Sequence, residues 1–190
     1  MKKNIAIFAS GSGSNAQRIA EYFQNNIQID VKKIYTDNPN AFVIKRAENL
    51  NIPIEIFSYA KDMKNKKSSW AKAFLDENYD LVVLAGFMRL IPEYVIKHYK
   101  NKIINIHPSL LPKYGGKGMY GHHVHQSVYE NKEPKSGITI HYVNKYFDKG
   151  EIIFQAECPL TEKDNPDKIA EKVQKLEHKY FPIIIEKLLT

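Results

Sequence analysis

The fold class follows from one stretch of sequence, Asn4-Ile5-Ala6-Ile7-Phe8-Ala9-Ser10-Gly11-Ser12-Gly13-Ser14-Asn15. Residues 4–9 form an apolar run without polar alternation, which is typical of a parallel strand covered on both faces. Residues 10–15 are small or polar, and a helical pattern of apolar residues begins at Ala16. The stretch therefore predicts a strand, a glycine loop and a helix.

The glycine loop is the first candidate binding site. Amides at a helix N-terminus carry positive partial charge, so Gly13, Ser14 and Asn15 are predicted to bind a phosphate. The loop also fits a loose dinucleotide-binding pattern, with Asp37 near the end of the next predicted strand. A plain tight turn is a third interpretation, and the residues alone leave these alternatives open.

Strands and helices alternate along the rest of the chain. Further strands are predicted over residues 31–35, 53–57, 81–86, 103–107, 137–143 and 152–155. The alternation predicts an α/β fold, in which a Rossmann-like, mostly parallel, doubly wound sheet carries helices on both faces. We expect a single domain over residues 1–190, with a Rossmann-like phosphate-binding half (1–100) and a second half (101–190) that is catalytic and binds the cosubstrate. The last helix is predicted to run from Ile169 to about Tyr180, and residues 181–189 close the chain.

Composition disfavours several protein classes. A chain of 190 residues with 43% hydrophobic residues can bury one sizeable core. The formal net charge is +7, but the only arginines are Arg18, Arg46 and Arg89, so a nucleic-acid partner is disfavoured. A membrane span needs about 20 consecutive apolar residues, and no apolar run approaches that length. The sequence also shows no signal-peptide pattern, so we expect a cytoplasmic protein without a membrane partner. The single cysteine, Cys158, is interpreted as structural.

A second stretch, Ile103 to Tyr114, carries two unlike polar side chains in an apolar context. Asn105 and His107 are two residues apart, so in a strand they share one face of the sheet. Pro108 ends the strand, which places an amide donor and a titratable imidazole at its carboxyl end, where open α/β sheets bind ligands. This arrangement suits carbonyl chemistry. The alternative is that Asn105 caps a loop and His107 is a hydrogen-bonded core histidine.

The run Asn105-Ile106-His107-Pro108-Ser109-Leu110-Leu111-Pro112 resembles the signature of the formyltransferases that use 10-formyltetrahydrofolate. Over nearly its full length the chain is similar to the small members that act on phosphoribosylglycinamide. The resemblance implies transfer of the formyl group of 10-formyltetrahydrofolate to the amine of that acceptor in purine (IMP) biosynthesis, without a metal. Members that formylate methionyl-tRNA or deformylate the folate share the signature, but they normally carry a further domain, which we do not expect in this chain of 190 residues.

The resemblance also implies roles for individual residues. Asn105, His107 and Asp148 are expected to be catalytic, with Asp148 orienting the imidazole and raising the pKa of His107. Glu177 is expected to contact the acceptor, and the glycine loop its phosphate. The expected folate-binding residues are Lys67, Met88, Arg89, Leu90, Ile91, Asn105, Asn144 and Asp148.

Each of these roles has a structural alternative. Met88 and Leu90 could be core residues, Asp148 an ordinary turn aspartate, and Lys67 and Glu177 solvated charges. A different class of function, a nucleotide-binding regulatory module, would use the glycine loop alone.

A glycine-rich insertion, residues 115–121, departs from the commoner family pattern and alters one wall of the expected site. It leads to His122, His123 and His125, which could indicate a metal. No cysteine or carboxylate cluster accompanies these histidines, so a helix start and pocket lining are favoured instead. The expected partners are therefore the small-molecule substrates, phosphoribosylglycinamide and the folate, and the protein is expected to be a monomer or homodimer.

Overall fold

Thirteen regular helices and strands and one π-helical turn follow one another in the computed structural model, which describes residues 2–190. The strands are β1 (Lys3–Phe8), β2 (Ile29–Thr36), β3 (Ile54–Ile56), β4 (Leu81–Leu84), β5 (Ile103–His107), β6 (Lys135–Tyr142) and β7 (Ile152–Pro159). The helices are α1 (Ser14–Phe23), α2 (Val43–Asn49), α3 (Ser69–Asp76), α4 (Glu93–His98), α5 (His122–Glu130) and α6 (Pro166–Leu189), and the π-helical turn is Tyr59–Met63.

All seven strands form one sheet in the order β3-β2-β1-β4-β5-β6-β7. The first five are parallel, and β6 and β7 join antiparallel. The strand order reverses beside β1, which lies between β2 and β4, so a ligand crevice is expected beyond the carboxyl ends of these strands. The predicted Rossmann-like, mostly parallel sheet is confirmed.

The sheet is covered on both faces, as the apolar character of β1 predicted. Ile5 and Ile7 are buried in the core on one face, whereas Ala6 and Phe8 are buried in the core on the other. The second core is aromatic, and the ring of Phe8 stacks on that of Tyr35 at 4.8 Å between centroids. Burial of each such large side chain contributes about 1.5–3 kcal/mol, so both faces hold β1 and the loop after it in place.

The end predicted for the last helix is wrong. Helix α6 is continuous to Leu189 and contains Pro182, which a sequence pattern would place at a helix break. The helix continues because its final turns bury Phe181 and Ile185 against the sheet. The helix also begins earlier than the predicted Ile169, at Pro166, because the side chain of Asn165 caps it by accepting a hydrogen bond from the backbone amide of Lys168.

Smaller differences concern the charged segment after β3. Residues 62 and 63, expected in a loop, lie in the π-helical turn. Of the helices formed by residues 2–190, none is both long and apolar enough to cross a membrane.

Candidate active site

An open cleft of about 920 Å³ lies where the carboxyl ends of β1, β4 and β5 meet. Nearly all of the expected site residues line it, although they come from distant parts of the sequence. Its lining includes Gly13, Ser14, Asn15, Met88, Arg89, Leu90, Ile91, Asn105, His107, Asn144, Asp148 and Glu177. Lys67 is an exposed residue and does not line this cleft, so the structure does not bring it to the other expected folate-binding residues.

Asp148 lies at the centre of the cleft, between the two polar side chains of β5. Its Oδ2 atom is 3.5 Å from Nδ1 of His107, and its Oδ1 atom accepts a long hydrogen bond of 3.4 Å from Nδ2 of Asn105. The structure therefore brings the three expected catalytic residues together. Asp148 is not an ordinary turn aspartate, because its carboxylate is turned inward and only 11% exposed.

The ring of His107 is held from both sides. Its Nε2 atom donates a hydrogen bond of 2.7 Å to the backbone carbonyl of Tyr114, so this nitrogen carries the proton of the neutral ring. Burial lowers the pKa of His107 below its usual value, while the charge of Asp148 acts in the opposite direction. The charge of Asp148 therefore acts on the pKa of His107 in the expected direction, but the loss of solvation on burial is the larger effect and the net pKa is lowered.

His141 is a member of this cluster that the sequence did not single out. It lies on β6 directly opposite Asn105, and its Nε2 atom is 3.2 Å from Nδ2 of that side chain. Since Nδ1 of His141 donates to the carbonyl of Tyr142 at 2.8 Å, Nε2 is the acceptor for Asn105 in the neutral ring. Alternation within the strand predicted for residues 137–143 determines the face of the sheet on which His141 lies. Only the antiparallel register of β5 and β6 shows that it lies opposite Asn105.

The insertion also contributes to the cluster. The backbone amide of Gly116 donates a hydrogen bond of 2.9 Å to Oδ2 of Asp148. Burial raises the pKa of Asp148, but contacts with His141, His107 and this amide outweigh burial and hold the pKa below its usual value. Asp148 therefore remains ionised near neutral pH.

The glycine loop has the geometry predicted for it. Gly13 has φ +73° at the start of α1, and a Cβ atom built there would lie 2.4 Å from the side chain of Val43. No other residue fits this position without a shift of the backbone. Gln174 of α6 donates to the hydroxyl of Ser14 at 3.3 Å, so the loop and α6 form one wall of the cleft.

Glu177 extends that wall. Its Oε2 atom accepts a hydrogen bond of 2.8 Å from Nδ2 of Asn15. Burial raises the pKa of Glu177 to about 7, although the hydrogen bond from Asn15 acts against the rise. It is therefore not a solvated helix carboxylate, and its protonation changes near neutral pH.

The opposite wall follows β4. Ile91 is buried, whereas the side chain of Met88 is 49% exposed and is therefore not a core residue. Arg89 donates through Nε to Oδ2 of Asp37 at 2.8 Å, and the hydroxyl of Ser10 donates to Oδ1 of Asp37 at 2.6 Å. Asp37 thus joins the glycine loop to this wall. The side chain of Asp37 is only 4% exposed and is already held by both contacts, which argues against its reaching a ribose hydroxyl as the dinucleotide interpretation requires.

Asn144 lies at the edge of the cleft in the turn that carries Asp148. Its side-chain amide donates to the carbonyl of Lys149 at 2.7 Å, and its Oδ1 atom accepts from the amide of Tyr146 at 2.9 Å. The side chain therefore shapes the turn through contacts with its own backbone.

The three neighbouring histidines begin α5, as favoured from the sequence. His122 and His123 are exposed, whereas His125 is buried in the cleft wall, and burial lowers its pKa to about 4. Within residues 2–190 no group of three or more His, Cys, Asp or Glu side chains is placed to hold a metal ion.

Comparison with known proteins connects this geometry to a family. The model of the formyl transferase family matches residues 3–185. A phosphoribosylglycinamide formyltransferase of Bacillus subtilis is 36% identical over 98% of this chain and 95% of its own length. The chloroplastic phosphoribosylglycinamide formyltransferase of Arabidopsis thaliana is longer; it is 34% identical over 97% of this chain, which covers 64% of it.

Solved structures agree with the sequence comparison. The crystal structure of phosphoribosylglycinamide formyltransferase from Bacillus halodurans superposes with a TM-score of 0.88 at 33% identity, over 99% of this chain and 96% of that one. The resemblance inferred from the run Asn105 to Pro112 is thereby confirmed. This chain belongs to the formyl transferase family.

Proposed function

We propose that this protein transfers the formyl group of 10-formyltetrahydrofolate to the amine of phosphoribosylglycinamide, a step of purine biosynthesis. One observation carries the proposal: a single cleft joins the glycine loop at the start of α1, the cluster of Asn105, His107 and Asp148, and an apolar wall. These three parts match the three chemical features of the reaction, which are an acceptor phosphate, a formyl carbon under attack and a pterin ring.

The acceptor is assigned to the wall built by the glycine loop and α6. Backbone amides at the start of α1 suit the phosphate, and Gly13 permits its close approach. Glu177 lies farther along the same wall and is held by Asn15, so an acceptor whose phosphate sits at the loop can direct its amine past Glu177 toward Asp148. For this reason we propose that Glu177 contacts the acceptor, as the resemblance implies.

The folate is assigned to the opposite wall, residues 84–91, together with the turn around Asn144. Backbone groups at the end of β4 can pair with the edges of the pterin ring, while Met88, Leu90 and Ile91 provide apolar surface. Arg89 lines the cleft, and its guanidinium is fixed by Asp37 through Nε alone, so its terminal nitrogens can bind a folate carboxylate. This assignment places the formyl group between the two walls, beside Asn105.

Formyl transfer requires that the cluster of Asn105, His107 and Asp148 stabilise an oxyanion and accept a proton. The amine nitrogen attacks the formyl carbon, and the electron pair of the carbonyl moves to its oxygen. Asn105 can donate to this oxyanion, because its contacts with His141 and Asp148 are long, at 3.2 and 3.4 Å, and are readily exchanged.

The attacking amine loses a proton, which passes to the pair formed by Asp148 and His107. A proton on Nδ1 of His107 turns its 3.5 Å contact with Asp148 into an ion pair, so the buried cation is compensated as it forms. Collapse of the tetrahedral intermediate breaks the bond to the folate nitrogen, which takes the proton held by His107 as it leaves. The products are the formylated ribonucleotide and tetrahydrofolate.

An acceptor panel tests this proposal. Purified protein is mixed with 10-formyltetrahydrofolate, and the absorbance change of the folate is followed with phosphoribosylglycinamide, with initiator methionyl-tRNA and with no acceptor. Turnover with phosphoribosylglycinamide alone is expected. Turnover only with the tRNA, or equally fast deformylation without an acceptor, contradicts the assignment of the acceptor.

The remaining expectations stay predictions. They are a role for Lys67 in substrate binding, a cytoplasmic location, and a monomeric or homodimeric state.

A further inference from the structure

We propose that Lys117, in the glycine-rich insertion, binds the phosphate of the acceptor and thereby completes a site that the glycine loop only half encloses. The inference rests on the proposed function, because it names a further contact to the same acceptor. It assigns a purpose to residues 115–121, which the reaction itself does not use through a side chain.

The insertion lies on the side of the cleft that is assigned to the acceptor. At its start, the amide of Gly116 is bound to Asp148 at the reaction centre. At its end, Gly121 is followed by His122, whose Nδ1 atom lies 4.0 Å from Oδ1 of Asp167 in the first turn of α6. The insertion therefore runs from the reaction centre to α6, on the side of the cleft assigned to the acceptor.

The neighbours of the insertion support the same placement. Beyond Asp167, α6 contributes Val173, Gln174 and Glu177 to the cleft, and two of these contact the glycine loop through Ser14 and Asn15. Residues 116–121 line the cleft continuously. The glycine loop, α6 and the insertion thus form three sides of one compartment.

The charges that line the cleft also favour a contact between Lys117 and the phosphate. Among the residues that line the cleft, Arg89 and Lys117 are the only lysine or arginine side chains. Arg89 is paired with Asp37 on the folate wall, whereas Lys117 is exposed and its amine contacts no carboxylate within residues 2–190. A dianionic phosphate held by backbone amides still lacks a compensating cation, and Lys117 is the unpaired cation in its compartment.

The backbone around Lys117 allows the contact. Gly116 and Gly118 flank it with φ +99° and +89°, and a Cβ atom at either position would meet nothing within 4 Å. Two glycines in the left-handed region let the lysine reorient without disturbing Asp148 or α5. The insertion can therefore bring the amine to a phosphate after the acceptor has entered.

The test compares Lys117→Met, which keeps the length of the side chain and removes its charge, with Lys117→Arg, which keeps the charge. Loss of one charge-assisted contact should raise the acceptor KM roughly tenfold in Lys117→Met, with kcat and the folate KM unchanged. The Ki of inorganic phosphate, competing with the acceptor, should rise by a similar factor. Lys117→Arg should retain most of the affinity.

Lys113→Met is the matched control. It removes the same charge from the same region, but Lys113 pairs with Glu133 at 2.8 Å and does not line the cleft. Its acceptor KM and phosphate inhibition should equal those of the wild type. The ratio of the acceptor KM of Lys117→Met to that of the wild type should fall toward one as ionic strength rises, because salt screens an exposed cation.

An unchanged acceptor KM and phosphate Ki in Lys117→Met would overturn the proposal, as would a rise confined to the folate KM. Failure of the proposed function is a separate outcome, seen as absence of turnover by the wild type with phosphoribosylglycinamide. In that case, calorimetric binding of inorganic phosphate to wild type and Lys117→Met still decides the role of this lysine.

Discussion

Glu177→Gln removes the ionisable carboxyl group from the wall of the cleft assigned to the acceptor and keeps the size and shape of the side chain. The amide oxygen of glutamine can still accept the hydrogen bond that Asn15 donates to Glu177. The substitution therefore separates the charge of this residue from its packing.

The magnitude follows from the raised pKa. In the folded protein the pKa of Glu177 is about 7, against an ordinary value of 4.5, and at about 1.4 kcal/mol per pH unit the difference corresponds to on the order of 3 kcal/mol. The folded state holds the proton more tightly than the unfolded state. Glu177 thus contributes stability that is fully present below pH 4.5 and is lost as the pH rises through about 7. Partial exposure of the side chain makes this figure an upper bound.

Urea unfolding of the wild type and Glu177→Gln at a series of pH values measures the effect. The variant should gain stability relative to the wild type as the pH rises from about 5 to 8, by up to about 3 kcal/mol. Its acceptor KM should be raised most above pH 7, where the wild-type carboxylate is ionised. Parallel stability curves for the two proteins would show that Glu177 titrates normally and would refute the argument.

Three further predictions address the other parts of the cleft. Asp148→Asn should lower kcat with little change in either KM, and should move the limb of the pH-rate profile that depends on His107 to lower pH, because the carboxylate raises that pKa. Gly13→Ala should raise the acceptor KM more than the folate KM, since its Cβ atom meets Val43 at 2.4 Å; a melting curve checks that the fold survives, and equal changes in both KM values would contradict the placement of the phosphate. Leu90→Trp should raise the folate KM and spare the acceptor, and the reverse result would exchange the two walls.

The alternation of elements could be predicted from the sequence because each element has its own apolar period. The run at residues 4–9 identified a strand buried on both faces, and Ile5 and Phe8 indeed lie in opposite cores. The end of α6 could not be predicted, since Pro182 is a local signal for a break. Burial of Phe181 on the sheet is a tertiary effect that overrides this signal.

The site was predictable where its members are close in sequence or belong to the family signature. Asn105 and His107 share a face because of strand alternation, and Asp148 came from the resemblance. His141 and the amide of Gly116 were missed because they reach the cluster through strand register and loop closure, which leave no periodic signal. The lowering of the His107 pKa by burial could not be predicted for a related reason, since burial is a property of the whole fold.

The most direct test of the account is a double-mutant cycle on kcat for formyl transfer to phosphoribosylglycinamide, using His107→Ala, Asp148→Asn and the double variant. Loss of His107 should cost at least about 10² in kcat, the typical effect of removing one group that stabilises the charge of a transition state. Because the two side chains form one buried pair, the double variant should be scarcely slower than His107→Ala alone. Full multiplication of the two single defects, or near-normal turnover by His107→Ala, would contradict the account.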